Sequence, residues 1–120
     1  MATIKSYTDI EQSKKLAEIL PLESVDMRFC FSHTLGGRIT GHYPMIGREP
    51  SLGTILCWSL SSLLEILDYP QLSKDKLGSG KEGWMVNVYP NDCRYDSCWH
   101  DNPVDACYEM ILKLNELNIF

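Results

Sequence analysis

Cys93, Cys98 and His100 are the residues whose types and spacing come nearest to a chemical site. Zinc takes thiolate and imidazole ligands in a tetrahedron, and Cys30 or His33 from an earlier segment would complete such a set. The spacing Cys-x4-Cys-x-His is not a standard zinc knuckle, however, and no second knuckle follows it. On a regular strand Cys98 and His100 share a face while Cys93 points the other way. The chain holds five cysteines, an odd number, with no Cys-x-x-Cys. Reduced thiols are therefore the expectation, with metal binding by Cys93, Cys98 and His100 as the alternative. Cys57 and Cys107 fall inside apolar patterns and read as small core residues.

Nucleophilic catalysis needs a Cys or Ser beside a base that a third group orients. Cys30 lies near His33, and Ser59 or Ser61 could be offered, yet there is no Gly-x-Ser-x-Gly elbow and no cysteine-hydrolase signature. The loop Thr34-Leu35-Gly36-Gly37-Arg38 has glycine amides and an arginine that could cradle a phosphate, but it matches neither the Walker pattern nor the dinucleotide fingerprint. No catalytic residue and no cofactor follow from these motifs. Two charged stretches remain. Arg28, Arg38 and Arg48 occur with no acid between Met27 and Arg48, a locally basic segment open to an anion or a partner. From Asp92 to Glu116 six acids stand against Arg94 and Lys113. A solvated helix face is the plain meaning of those acids. The functional meaning is a docking surface for a basic protein partner, with Trp84, Tyr95 and Trp99 as aromatic anchors.

The elements that must position these residues are legible in part. Thr8-Asp-Ile-Glu offers a capping box with Thr8 as cap, opening a helix over about 9–20 that stops at Pro21; its apolar stripe is thin, so it belongs on the surface. Met27, Phe29 and Phe31 alternate as one face of a short strand. Glycines and prolines crowd residues 32–50, which predicts an irregular loop. Leu60, Leu63, Leu64 and Leu67 follow helical spacing, with Ser59 as the cap and Pro70 as the end. Residues 73–83 hold three lysines and three glycines and read as a solvent-facing loop.

Trp84, Val86 and Val88 alternate in a strand, Pro90-Asn91-Asp92 turns, and 93–99 return, with Trp84, Tyr89, Tyr95 and Trp99 able to form cross-strand pairs. Asn102-Pro103-Val104-Asp105 is the clearest helix start, combining a cap, a proline at the first helical position and an acid at the positive dipole end. The helix runs to about Asn118 and buries Val104, Cys107, Tyr108, Ile111, Leu114 and Leu117.

With 120 residues, 44% apolar and 22% charged, the chain is long enough for one core and too short for two. Its 11 bases against 16 acids give a net charge of −5, which supplies no global basic field and disfavours nucleic acid as a partner. No apolar run reaches the roughly 18 residues of a membrane span, and the polar start MATIKSYTDIEQSKK lacks a signal-peptide core, so a cytoplasmic location is expected.

The segments TDIEQSKKLAEILPLES (Thr8 to Ser24), CWSLSSLLEIL (Cys57 to Leu67) and NPVDACYEMILKLNEL (Asn102 to Leu117) resemble a group of small uncharacterised bacterial proteins associated with prophages and mobile elements. The resemblance covers the three helices and leaves 25–56 and 68–101 variable. The hairpin followed by an Asn-Pro-Val-Asp-Ala helix is similar in pattern to phage α/β sandwich domains. More distantly it resembles the antitoxin fold, in which a strand pair precedes a Thr-Pro-Glu-Glu-Ala helix. What the resemblance implies is an accessory protein, and it transfers no catalytic residue. The expectation is a single α+β domain in which one small antiparallel sheet, built on the 84–99 hairpin and Met27 to Phe31, packs on the helices. Its expected role is non-enzymatic protein interaction, and a small metal-binding protein or an antitoxin-like nucleic-acid-linked regulator are the alternatives.

Overall fold

The computed structural model describes residues 5–33, 39–47, 55–78 and 80–119. Among these residues three α-helices and six strands follow in the order α1 (Ile10–Ala17), β1 (Met27–His33), β2 (Ile39–Ile46), β3 (Ile55–Cys57), α2 (Leu60–Ile66), β4 (Gln71–Lys76), β5 (Glu82–Val88), β6 (Tyr95–Asp96) and α3 (Pro103–Glu116). This is a small α+β domain, but the strands form two separate three-stranded antiparallel sheets, ordered β2-β1-β3 and β4-β5-β6. The single sheet expected from sequence is thereby corrected.

α3 is the axis of the core because both its ends are fixed by local chemistry. The Asn102 side chain accepts the Asp105 amide at 2.9 Å, and Pro103 supplies a pre-set first turn. At the other end Asn118 adopts φ +56°, its N–H meets the Asn115 carbonyl, and the Ile119 N–H reaches back to Leu114. That is a Schellman stop with asparagine in the left-handed position, and Ile119 packs back on the core beside it. Between these ends Val104, Ala106, Cys107, Met110, Ile111 and Leu114 are buried. They meet Val86 and Val88 of β5, Leu63 and Leu67 around α2, Leu16 of α1 and Trp58 in one cluster. Trp58 is 1% exposed, and its indole N–H donates to Ser24 Oγ at 2.9 Å, so the aromatic anchor is satisfied as well as buried.

The α1 cap lies one residue later than the sequence suggests. Thr8 follows the Tyr7↔Ser59 bridge, its N–H on the Trp58 carbonyl, and its hydroxyl accepts the Trp58 amide and meets Ser13 Oγ. It is fully buried and cannot cap. Asp9 takes that role, accepting from the Gln12 amide while the Gln12 side chain accepts from the Asp9 amide. The helix is also less superficial than its thin stripe implies, since Ser13 and Leu16 are buried against the core.

Parts of two segments read as loops are strands, namely 39–46 within 32–50 and 73–76 within 73–83, while 34–38 and 48–50 lie outside the described residues. β2 contains Gly41 and Pro44, yet it is an edge strand, where a missing N–H costs no ladder bond if it faces outward. β4 carries Lys74, Asp75 and Lys76, all exposed, and pairs with β5 from Gln71↔Asn87 to Lys76↔Glu82. Its charges conceal it from a periodicity reading and protect an open sheet edge. No helix among the described residues is long and apolar enough to cross a membrane.

Candidate functional site

The return segment after β5 positions the chemistry-bearing residues. Its pairing begins regularly, with Val88↔Tyr95 and Asn87↔Asp96, but further along Trp84 bridges His100, one residue out of register. An extra residue is therefore accommodated between Asp96 and His100, a β-bulge. Ser97 repairs the ladder at this point: its backbone N–H donates to the Val86 carbonyl, and its hydroxyl accepts the Val86 amide at 3.0 Å. The next amide, that of Cys98, is turned off the sheet and donates to Glu109 Oε2 of α3 at 2.8 Å. The other oxygen of Glu109 lies 3.2 Å from His100 Nε2. One carboxylate thus ties both sides of the bulge to the central helix, and Lys113, one turn further along α3, donates to the Asp96 carbonyl.

The electrostatics of this corner argue against a reactive thiol. The Glu109 hydrogen bond, and then its charge, push the exposed Cys98 thiol above its ordinary range, with Lys113 pulling weakly the other way. Partial burial acts to raise the Glu109 carboxyl. Hydrogen bonds from the Cys98 amide and thiol and from His100 outweigh it, so the carboxyl lies below its usual range. A thiol held neutral beside a carboxylate is a poor nucleophile and a poor metal ligand, because the thiolate does both tasks.

The metal alternative is not assembled here. Among the described residues no three His, Cys, Asp or Glu side chains are placed to share an ion. Cys93 is an exposed residue following the 90–92 turn and is a free thiol. Cys57 and Cys107 are core residues, as their setting suggested, and burial pushes both thiols up to about 12, with Asp26 contributing at Cys57.

The aromatic candidates separate by burial. Tyr95 is half-buried against the core and Trp84 is half-buried, with Lys74 Nζ 5.1 Å from its ring centroid. Trp99 is 41% exposed on the bulge itself. The expected cross-strand pairing of Trp84 and Trp99 is absent because the bulge puts His100, not Trp99, opposite Trp84. Of the basic candidates, Arg28 is folded onto the β1–β2 pair: a Cβ at Gly47 would lie 2.9 Å from its Nη1, and its Nε is buried without a partner. Arg38 and Arg48 lie outside the described residues.

Three of the six acids in 92–116 are engaged internally rather than forming a free rim. Asp96 pairs with Arg94 at 2.8 Å, Glu109 holds the bulge, and Asp105 receives Lys5 at 2.9 Å, Gln12 at 2.7 Å and Asn102 at 2.8 Å. Burial acts to raise the Asp105 carboxyl, but these hydrogen bonds and the Lys5 charge bring it below its ordinary value. Sequence reasoning placed Asp105 at the helix dipole and missed its role as a clamp between the N-terminal segment, α1 and α3. It also missed Glu109, whose only signal was its place on the helix that follows the bulge.

Comparison with protein-family models, curated proteins and solved structures returns no match.

Proposed function

We propose that this protein is a non-enzymatic accessory domain of a prophage or mobile element that works by binding another protein, with Trp99 as its anchor. The observation that supports this reading is an exposed indole seated on a bulge whose backbone is bonded to α3 on either side of it. An aromatic anchor held rigid before contact loses little conformational freedom on binding, and tryptophan is among the residues that dominate interface energetics. The Cys98, Glu109 and His100 cluster supports the same reading: its thiol is kept neutral, and its carboxylate serves to position the bulge. The prophage assignment rests on the resemblance of the three helical segments alone.

Affinity capture from nuclease-treated host lysate tests the proposal. The intact protein is expected to retain a reproducible protein partner that Trp99→Ala fails to retain while keeping the same unfolding midpoint. Failure to recover any reproducible partner, or equal recovery by Trp99→Ala, overturns it.

A further inference from the structure

The bulge after β6 is one of two ways in which the return segment can satisfy β5. In the bulged register the Ser97 amide donates to the Val86 carbonyl, the Ser97 hydroxyl accepts the Val86 N–H, and Trp84 exchanges both of its backbone bonds with His100. Continued without a bulge, the register set by Val88↔Tyr95 and Asn87↔Asp96 would put Trp99 opposite Trp84 and give the Val86 N–H the Ser97 carbonyl instead. The same four backbone groups of β5 are satisfied either way, so the ladder itself does not choose between the two registers.

The side chains do distinguish them. Tyr95 packs on the core and Ser97 is buried, so strand alternation assigns position 99 of the regular register to that same side, toward α3. The bulge gives this place to His100 and leaves the Trp99 indole 41% exposed. A slip of one residue would exchange them, turning the indole inward beside Trp84 and His100 outward. The extra residue would then pass into the bend at Asp101, which is exposed, while Asn102 keeps its cap on the Asp105 amide.

The choice of register therefore falls to Glu109. Its carboxylate accepts the Cys98 amide at 2.8 Å because the bulge turns that amide toward α3, and its other oxygen lies 3.2 Å from His100 Nε2 because His100 stands on the α3 side. Both contacts belong to the bulged register alone. Lys113, which donates to the Asp96 carbonyl, holds the chain ahead of the bulge and is common to both.

We infer that residues 97–101 form a two-register switch that displays or buries Trp99, with the Glu109 carboxylate as its latch. Latched, the segment displays the indole. With the latch withdrawn from Cys98 and His100, the segment slips by one residue and pairs Trp99 with Trp84. A protein that takes up the Trp99 side chain stabilises the displayed register, since a two-state equilibrium moves by the difference in binding to its states. The switch itself is a property of the free chain and does not rest on Trp99 being a contact residue.

Nuclear magnetic resonance of the free, full-length protein tests it, because residues opposite each other in a hydrogen-bonded antiparallel pair show a direct amide–amide contact. The parent should show that contact between Trp84 and His100, and a soluble paramagnetic agent should broaden the Trp99 indole N–H signal. In Glu109→Ala a Trp84–Trp99 contact should replace it and the indole signal should be protected. Glu109→Gln, which keeps the side-chain volume, should show the same exchange to a smaller extent and decides the matter if the alanine variant fails to fold. Deleting Cys98 in the Glu109→Ala background removes the extra residue, and should restore both the Trp84–His100 contact and the broadening of Trp99. A Trp84–His100 contact retained in both Glu109 variants, or its loss without any Trp84–Trp99 contact, overturns the inference. No partner enters this experiment, so its failure leaves the capture test of Trp99 standing.

Discussion

At the scale of single residues, Glu109 explains why a Cys, a His and a carboxylate can stand together without making a catalytic site. The carboxylate takes the Cys98 amide and thiol on one side and His100 on the other, and the consequence for the thiol is a raised pKa. Glu109→Gln removes that charge while keeping the shape, so Cys98 should ionise more readily and react faster with iodoacetamide at mildly alkaline pH, with Cys93 as the internal reference. An unchanged ratio of the two rates, read by peptide mass spectrometry, would show that Glu109 does not control the thiol. Cys57 and Cys107 make a different prediction. Their thiols ionise near 9 in the unfolded chain and only near 12 when folded, because burial penalises the thiolate. Above pH 9 the unfolded state binds fewer protons than the native state, so stability falls progressively between pH 9 and 12. Urea unfolding across that range should show the decline, and Cys107→Ala should make it shallower.

At the scale of elements, the domain is held by clamps between segments distant in sequence. Asp105 ties Lys5 and Gln12 to the first turn of α3, and Thr8 ties the N-terminal segment to the strand-like stretch at Trp58. Asp105→Ala removes a helix-dipole partner and its charge-assisted hydrogen bonds and should cost about 1–2 kcal/mol, with the carboxylate's partial exposure limiting the loss. Because the folded pKa of Asp105 and of Glu109 is depressed, each stabilises above its ordinary carboxyl pKa and loses that contribution as pH falls through the folded value. Asp105→Ala and Glu109→Gln should therefore each lower stability at pH 7 and leave it closer to the parent below pH 4, so that the acid limb loses amplitude, measured by chemical unfolding at the two pH values.

The same scale shows what the sequence could disclose. α2 and α3 were legible because cap, period and stop all agree, as at Asn102, Pro103 and the leucines after Ser59. β2 and β4 were not, since an edge strand is held by backbone bonds that leave no alternation in its side chains, and Pro44 or Lys74 then reads as loop chemistry. The bulge was equally hidden: one unpaired residue between Asp96 and His100 reverses which side chain faces α3, and no spacing rule announces it. Cys98 and His100 were thus read with Cys93 as a metal set and Trp99 with Trp84 and Tyr95 as an aromatic set, while Glu109, which fixes the bulge that carries Cys98, Trp99 and His100, was read only as surface charge.

At the scale of the whole molecule, the two sheets flank a common helical core, and their open features lie on different parts of the chain. The core is sensitive: Met110 and Leu16 are fully buried, and Met110→Ala or Leu16→Ala should cost about 2–5 kcal/mol in urea unfolding. Trp99 is not part of it, and its removal should leave stability within about 0.5 kcal/mol of the parent. The net charge of −5 also proves less uniform than the total suggests, since much of the acid-rich 92–116 stretch serves internal pairs. The proposed function rests on a preorganised aromatic contact at Trp99. Capture of a protein partner by the intact chain, side by side with the equally stable Trp99→Ala variant, tests it most directly: loss of the partner by the variant alone is the predicted result, and equal retention by both contradicts it.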